Sequence, residues 1–170
     1  MHARHQEALT QLTHILRLVK REDDHLQAVR QRLFGLTDEV TNDWVAGLLE
    51  SPEGIDRLES FGAKFGRMQD TIVDKLLPKL LQAAGENPGT AIDNLGRAER
   101  LGLITNTDEW IAMRGLRNLL VHEYIESPAE MLAALQQARD FTSELHDTFL
   151  AVSEYAQSHL NVGLILSPKP

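Results

Sequence analysis

The chain has 170 residues, 42% of them hydrophobic, a formal net charge of −8 at pH 7 and no cysteine. A chain of this length buries roughly 70% of its unfolded surface, so we expect one domain over residues 1–170 that needs no disulfide or metal ion, in a reducing compartment such as the cytoplasm. Without cysteine, zinc ribbons and thiol nucleophiles are excluded, and the negative charge means that any RNA contact requires a local basic patch.

The first predicted helix covers residues 4–34. Residues 1–7, which include the start of this helix, lack the apolar core of a signal peptide. No apolar run in the chain approaches the ~20 residues of a membrane span, so we expect no membrane partner. The helix is indicated by apolar side chains at steps of three and four: Leu9, Leu12, Leu16, Val19, Leu26, Val29 and Leu33. The charged run 20–24 interrupts this pattern, and we expect a solvated turn there, with a kink or break as the alternative.

The second predicted helix follows a loop. Residues 35–51 are rich in turn-forming side chains and predict a loop with one helical turn that packs Trp44 inward. Ser51 and Pro52 provide an N-cap and a first helical residue. The apolar face then continues to about residue 83 through Leu58, Phe61, Phe65, Met68, Ile72, Leu76 and Leu80. Pro78 lies inside this pattern, so we expect the helix to kink or end near the preceding residue.

Three more helices are predicted after the breaker at residues 85–89. The third runs from Thr90 to about Leu101, the fourth begins near Thr107, and the capping box at 127–130 starts the fifth. The fifth helix has the longest regular apolar pattern: Met131, Leu135, Ala138, Thr142, Leu145, Phe149, Val152 and Ala156. The fold prediction is an all-α antiparallel bundle of four or five helices, with residues 160–170 as an extended tail.

The fourth helix carries the densest group of chemically active side chains. At about 100° per residue, one half holds apolar residues that we expect to face the protomer's own core, namely Met113, Leu116, Leu119 and Leu120. The other half combines Arg114, Arg117, Asn118 and His122 with Trp110, Ile111, Val121 and Ile125. A polar face with bulky apolar residues is poorly suited to water, so we predict a homodimer that pairs two such faces across a two-fold axis.

The spacing of the polar residues favours a site shared between two chains. Arg117 and His122 lie roughly 140° apart around a helix and about 7.5 Å apart along it, which is too divergent for contact within one protomer. A two-fold axis would bring His122 of one chain near Arg117 of the other. Asn118 is four residues before His122 and could orient its imidazole, while Tyr124 lies on nearly the same line as Arg117.

The segment Arg117-Asn118-Leu119-Leu120-Val121-His122-Glu123-Tyr124 has the order arginine, four residues, histidine, one residue, tyrosine. It resembles the signature of HEPN-domain proteins, specifically the HepT-like toxins that are paired with minimal nucleotidyltransferase antitoxins. The resemblance implies that residues 52–159 form a HEPN-like bundle, while residues 1–50 are an N-terminal helix and loop extension.

The resemblance also implies a function. It indicates a homodimeric, metal-independent endoribonuclease without a cofactor, in which Arg117 and His122 form the catalytic site at the dimer interface. It further implies that the partner, a nucleotidyltransferase antitoxin, silences the toxin by adding AMP to Tyr124. Asn118 and Arg114 are expected as supporting residues, although Arg114 also suits a solvated surface.

The residue types suit this chemistry. A histidine with a pKa near ~6.5 can take the proton from an RNA 2′-hydroxyl, and an arginine can stabilise the phosphorane-like transition state, so that cleavage leaves a cyclic phosphate. Four charged residues of the second helix could border the cleft or form a solvated face: Lys64, Arg67, Asp70 and Lys75. The remaining histidines have no spacing that predicts a metal site.

Two other functions remain open from the sequence. The bundle could be a non-catalytic nucleotide-binding, substrate-binding or adaptor subunit of a nucleotidyltransferase, in which Arg117 and His122 hold a phosphate. It could also be a helical homodimer whose polar seam only fixes its register.

Overall fold

A computed structural model describes residues 2–35, 39–121 and 127–163, and the regular structure in these ranges is helical, without strands. The helices are α1 (His2–Phe34), α2 (Asn42–Glu50), α3 (Pro52–Thr71), α4 (Leu77–Ala83), α5 (Ala91–Arg100), α6 (Thr107–Val121) and α7 (Pro128–Leu160). A π-helical turn, Ile72–Leu76, joins α3 directly to α4. The predicted all-α bundle is therefore confirmed, with more helices than the four or five expected.

Helices α1 and α3 run antiparallel. Phe34, at the end of α1, packs edge-on against Phe61 of α3 with ring centroids 5.3 Å apart. Glu22, twelve positions earlier on α1, accepts a hydrogen bond from Thr71, ten positions later on the other helix. The chain directions between the two contacts are opposite, so α1 packs antiparallel against the second half of α3.

The charged run at 20–24 neither breaks α1 nor lies in solvent as a whole. Helix α1 continues through it, and Glu22 and Asp23 are only 7% and 4% exposed. Each carboxylate has a partner on another helix: Thr71 Oγ1 donates to Glu22, and His146 Nδ1 of α7 lies 2.7 Å from Asp23 Oδ2. The prediction of a solvated turn was wrong, as was the alternative of a break, because these partners satisfy the buried carboxylates.

A continuous series of aromatic rings links five helices through the core. Successive ring centroids are 5.1 to 6.1 Å apart, within the range of favourable aromatic contacts. The series consists of Trp44 on α2, Phe34 on α1, Phe61 and Phe65 on α3, Phe141 on α7 and Trp110 on α6. Helix α6 is thus anchored to the core by the last ring of this series.

Side-chain caps begin the helices where the sequence predicts them. Ser51 Oγ accepts a hydrogen bond from the backbone N–H of Gly54 at 2.8 Å, Thr90 forms a reciprocal capping box, and Ser127 Oγ accepts from the N–H of Glu130. Helix α2 was underestimated as one helical turn within a loop. It has nine residues, and Thr41 caps it by accepting from the N–H of Trp44.

Pro78 is accommodated by the π-helical turn that precedes it. Proline has no N–H for an intrahelical bond, and its ring conflicts with the carbonyl four residues earlier. The wider turn Ile72–Leu76 lies immediately before α4, in which Pro78 occupies the first turn. The expected disturbance near Leu77 is present as this change of helix type, which brings α3 into α4 without a loop.

Helix α7 buries every apolar position predicted for it, from Met131 to Ala156. It ends at Asn161, which adopts a left-handed conformation with φ 54°, and Val162 then folds back onto the core with its N–H bonded to the carbonyl of Ala156. Residues 164–170 of the predicted tail lie outside the described residues. None of the helices in the described ranges is long and apolar enough to cross a membrane.

Candidate functional site

Trp110 sets the orientation of α6. Its side chain is fully buried against the Phe141 ring, with centroids 5.1 Å apart, and its indole Nε1 donates to Glu144. Gln69 of α3 also donates to the carbonyl oxygen of Trp110 at 3.4 Å. The predicted place of Trp110 on the shared half of the helix is therefore wrong, because α7 offers a buried aromatic contact and an acceptor for the indole N–H.

Leu119 lies on the opposite side of α6 from the one predicted. Met113, Leu116 and Leu120 face the core as expected, but Leu119 is 48% exposed. At about 100° per residue, a core face that includes Trp110 is rotated away from Leu119. Leu119 instead lines up with Ile111, eight positions earlier and 39% exposed.

Together with the exposed Gly115 between them, these two residues form an apolar stripe on the outer face of α6. The stripe is defined here as Ile111, Gly115 and Leu119. Asn118 is exposed beside it. Helix α6 therefore presents apolar surface on the side that faces away from its own core.

Two arginines of α6 form ion pairs with two aspartates of α3 and its π-helical extension. Arg117 pairs with Asp70, and Arg114 Nη2 lies 3.4 Å from Asp74 Oδ1. The residues are spaced by three on α6 and by four on the facing helix, so both pairs form along one seam between antiparallel elements. This seam fixes the position of the first residue of the Arg117–Tyr124 signature.

A cavity of about 450 Å³ opens beside Arg117 on the surface of α3. Its floor carries no long side chains because Gly62, Ala63 and Gly66 lie there. The arginine side chain runs over the α3 backbone at Gly66, where an added Cβ atom would lie in ordinary van der Waals contact, 3.4 Å from Cδ of Arg117. The remaining lining residues are Arg67, Asp70, Thr71, Asp74 and Lys75.

A buried carboxyl group lies beneath this cavity. Thr71 Oγ1 is 2.8 and 2.9 Å from the carboxylate oxygens of Glu22 and 2.9 Å from the carbonyl oxygen of Arg67. Burial raises the pKa of Glu22 and outweighs the opposing effects of Thr71, Arg67 and Lys75. Thr71 has a single hydroxyl proton, so at any moment it donates either to a Glu22 carboxylate oxygen or to the Arg67 carbonyl oxygen.

The structure brings together only part of the predicted site. Arg114, Arg117 and Asn118 border a second, adjoining hollow of about 360 Å³ together with the two aspartates. His122 and Tyr124 lie outside the described residues, as do Ile125 and the side chain of Val121. The relation between Arg117 and His122 therefore remains a prediction from their spacing.

Sequence reasoning identified some of the surrounding residues and missed others. Arg67, Asp70 and Lys75 line the cavity, as one of the two interpretations of the second helix proposed, whereas Lys64 does not. Asp74 and Gly66 were missed. Asp74 was predictable from its position four residues after Asp70. This spacing places the two aspartates on one face of the helix, as the spacing of three does for the two arginines on α6.

No group of three or more histidine and acidic side chains in the described part of the chain is arranged to hold a metal ion. A scan against protein-family models gave no match, and searches of curated proteins and of solved structures found no similar protein. The features of the described chain that bear on function are the seam between α3 and α6, the cavity beside it and the signature that begins at Arg117.

Proposed function

We propose that this chain is a HEPN-type endoribonuclease that acts as a homodimer, with Arg117 and His122 as its catalytic residues. The observation that carries the proposal is the position of Arg117. Its guanidinium group is partly exposed at the mouth of an open cavity, and it is held there by Asp70. A fixed, accessible guanidinium at the start of the arginine–histidine signature is suited to contact a phosphate of RNA.

The proposed reaction needs no metal ion. His122 removes the proton from a 2′-hydroxyl, and the 2′-oxygen attacks the adjacent phosphorus. The bond from phosphorus to the 5′-oxygen breaks, the leaving oxygen takes up a proton, and a 2′,3′-cyclic phosphate remains. A guanidinium group has five N–H donors, so Arg117 can keep its contact with Asp70 and still donate to the phosphate oxygens as their charge develops.

The apolar stripe on α6 supports a site shared by two chains. Leu119 is within the signature and Ile111 is two turns before it, and both are exposed in the single protomer. Pairing two copies of this stripe would bury these residues and bring the two signatures together across a two-fold axis. The proposed site then requires His122 of one chain to reach past the stripe to Arg117 of the other, which lies on the α3 side of α6.

The partner proposed for this toxin is a nucleotidyltransferase antitoxin. In its reaction the phenolic oxygen of Tyr124 would form a bond with the α-phosphorus of ATP and release pyrophosphate. The added AMP places a negative charge two residues from His122, where it would repel an RNA phosphate. Mass spectrometry of the chain after incubation with ATP and that partner measures this modification directly.

The ribonuclease proposal is tested by incubating the purified protein with RNA in the presence of EDTA. We expect cleavage that leaves cyclic phosphate ends, and we expect His122→Ala to abolish it while the dimer persists. His14→Ala serves as the matched control because His14 is an exposed histidine on α1. Equal cleavage by the His122 variant and the control would refute a catalytic role for His122.

The ion pair also favours a second candidate function, which is nucleotide binding without catalysis. Asp70 offsets part of the positive charge of Arg117, and this reduces the stabilisation that the arginine can give to a transition state. In this case the protein would bind a nucleotide or a nucleotidyltransferase but would not cut RNA. Arg117→Ala would then abolish binding, and unchanged binding would contradict this alternative.

A further inference from the structure

The cavity beside Arg117 extends beyond the residues used in the proposed reaction. Two exposed cations of α3 and the following π-helical turn, Arg67 and Lys75, line it on either side of Thr71. They are eight residues apart, which separates their backbone positions by about 12 Å along the helix axis. The proposed cleavage chemistry gives no role to either cation.

The charges of this cavity favour an anionic ligand, although the whole chain has a net charge of −8. Both aspartates in the cavity already form ion pairs, Asp70 with Arg117 and Asp74 with Arg114. Within the described ranges, neither Arg67 nor Lys75 lies at ion-pair distance from a carboxylate. These two cations therefore remain available to an anion that enters the cavity.

The shape of the cavity limits the kind of anion. Gly62 and Ala63 line it without long side chains, while the Arg117 side chain covers Gly66, so a flat group can enter beside Arg117. The volume of about 450 Å³ lies within the usual range for small-molecule and nucleotide sites. A recess of this kind can take a base that has left its stack, as single-stranded RNA allows, whereas the rigid surface of a duplex cannot enter it.

We propose that this cavity binds the nucleotide next to the cleaved phosphodiester of a single-stranded RNA, with Arg67 and Lys75 contacting its phosphates. The inference rests on the proposed function, because Arg117, beside Gly66 and Asp70 in the cavity lining, marks the position of the cleaved bond. Base or ribose lies beside Gly62 and Ala63, and the two cations contact the adjacent backbone phosphates. They select for a strand that continues past the cleavage position.

The test measures binding separately from cleavage. A fluorescent, fully 2′-O-methylated RNA oligonucleotide lacks the attacking hydroxyl, so its affinity for the full-length protein can be measured by anisotropy over a series of salt concentrations. For single strands, each phosphate contact contributes about 0.7 to the slope of log affinity against log salt. We expect Arg67→Ala/Lys75→Ala to weaken binding and to reduce this slope by about 1.4.

The matched control is Arg57→Ala/Lys64→Ala, which removes the same charges from α3 outside the cavity lining. A smaller slope for the cavity variant than for the control supports the inference. Equal slopes for the two variants overturn it. If the unsubstituted protein still cuts unmethylated RNA in EDTA in that case, the proposed function stands and only the cavity inference fails. If the unsubstituted protein neither binds nor cuts RNA, both proposals fail together.

Discussion

The guanidinium group of Arg117 on α6 forms an ion pair with the carboxylate of Asp70 on α3. Arg114 and Asp74 form a second pair along the same seam. The two pairs fix the register of α6 against α3 at the residue where the arginine–histidine signature begins. Asp70 is therefore a positioning residue for Arg117 in the proposed reaction.

The first prediction concerns Asp70→Asn. The side chains of Arg117 and Asp70 are 35% and 37% exposed, so loss of the ion pair should change the free energy of unfolding by less than about 1 kcal/mol. Removing the negative charge should tighten RNA binding, but the freed arginine should lower the cleavage rate by about 10- to 100-fold. Single-turnover kinetics and anisotropy with methylated RNA separate these two effects.

Asp74→Asn is the control for that experiment, because it releases Arg114 instead of Arg117. It should leave the cleavage rate closer to that of the unsubstituted protein. If the two variants reduce the rate equally, Asp70 has no special role in positioning Arg117.

A second prediction concerns the apolar stripe. Leu119→Arg places a charge on the face of α6 that we propose to pair with its copy, so it should convert the dimer into a monomer. Analytical ultracentrifugation measures the change. Ile92→Arg is the matched control because Ile92 is an exposed apolar residue on α5. A monomeric unsubstituted protein, or a Leu119 variant that remains dimeric, would contradict pairing through this stripe.

A third prediction concerns the pH dependence of stability. Because burial raises the pKa of Glu22 above its ordinary value of 4.5, the folded protein holds this proton more tightly than the unfolded chain does. The free energy of unfolding contributed by Glu22 therefore falls as the pH rises from 4.5 through the folded-state pKa. Glu22→Gln, which resembles the protonated acid, should gain stability relative to the unsubstituted protein as the pH increases.

Urea denaturation between about pH 4 and pH 8 covers the onset of this change. Glu59→Gln on α3 is the control, because Glu59 is exposed. A stability difference between the Glu22 variant and the unsubstituted protein that stays constant with pH would show that Glu22 does not titrate in this way.

A fourth prediction concerns the contact between His146 and Asp23. His146→Ala removes the 2.7 Å contact and leaves the buried Asp23 with a 3.3 Å hydrogen bond from Gln27. Loss of a partner for a buried acceptor costs about 1–3 kcal/mol of the free energy of unfolding. His25→Ala, at an exposed position on α1, should change it by less than about 0.5 kcal/mol. Equal values for the two variants would mean that the His146 contact adds no stability.

The helices were predictable where their signals are local. Ser51, Thr90 and Ser127 each cap a helix through an atom only three residues away, so the sequence contains both partners of each contact. The apolar spacing of α7 likewise identifies its buried face without knowledge of the rest of the fold.

The errors arose where the deciding partner is distant in sequence. Glu22 and Asp23 are buried because of Thr71 and His146, which are 49 and 123 residues from them. The core face of α6 includes Trp110 and excludes Leu119, because the indole N–H of Trp110 donates to Glu144. That acceptor is 34 residues away in the sequence. No local periodicity carries this information.

For the candidate site, the signature pointed to Arg117, and the structure added its environment. The pairing with Asp70 and the close passage over Gly66 depend on how α3 and α6 pack. The proposed meeting of Arg117 with His122 involves a second copy of the chain, which a single sequence does not describe.

The shared site is tested most directly by mixing Arg117→Ala and His122→Ala proteins, refolding them together and measuring RNA cleavage in EDTA. Each variant alone should be inactive. A mixed dimer regains one intact site from the unchanged Arg117 and His122 of opposite chains, so random pairing should restore about a quarter of the unsubstituted activity. An inactive mixture, or cleavage by the His122 variant alone, would contradict a catalytic site shared across the dimer.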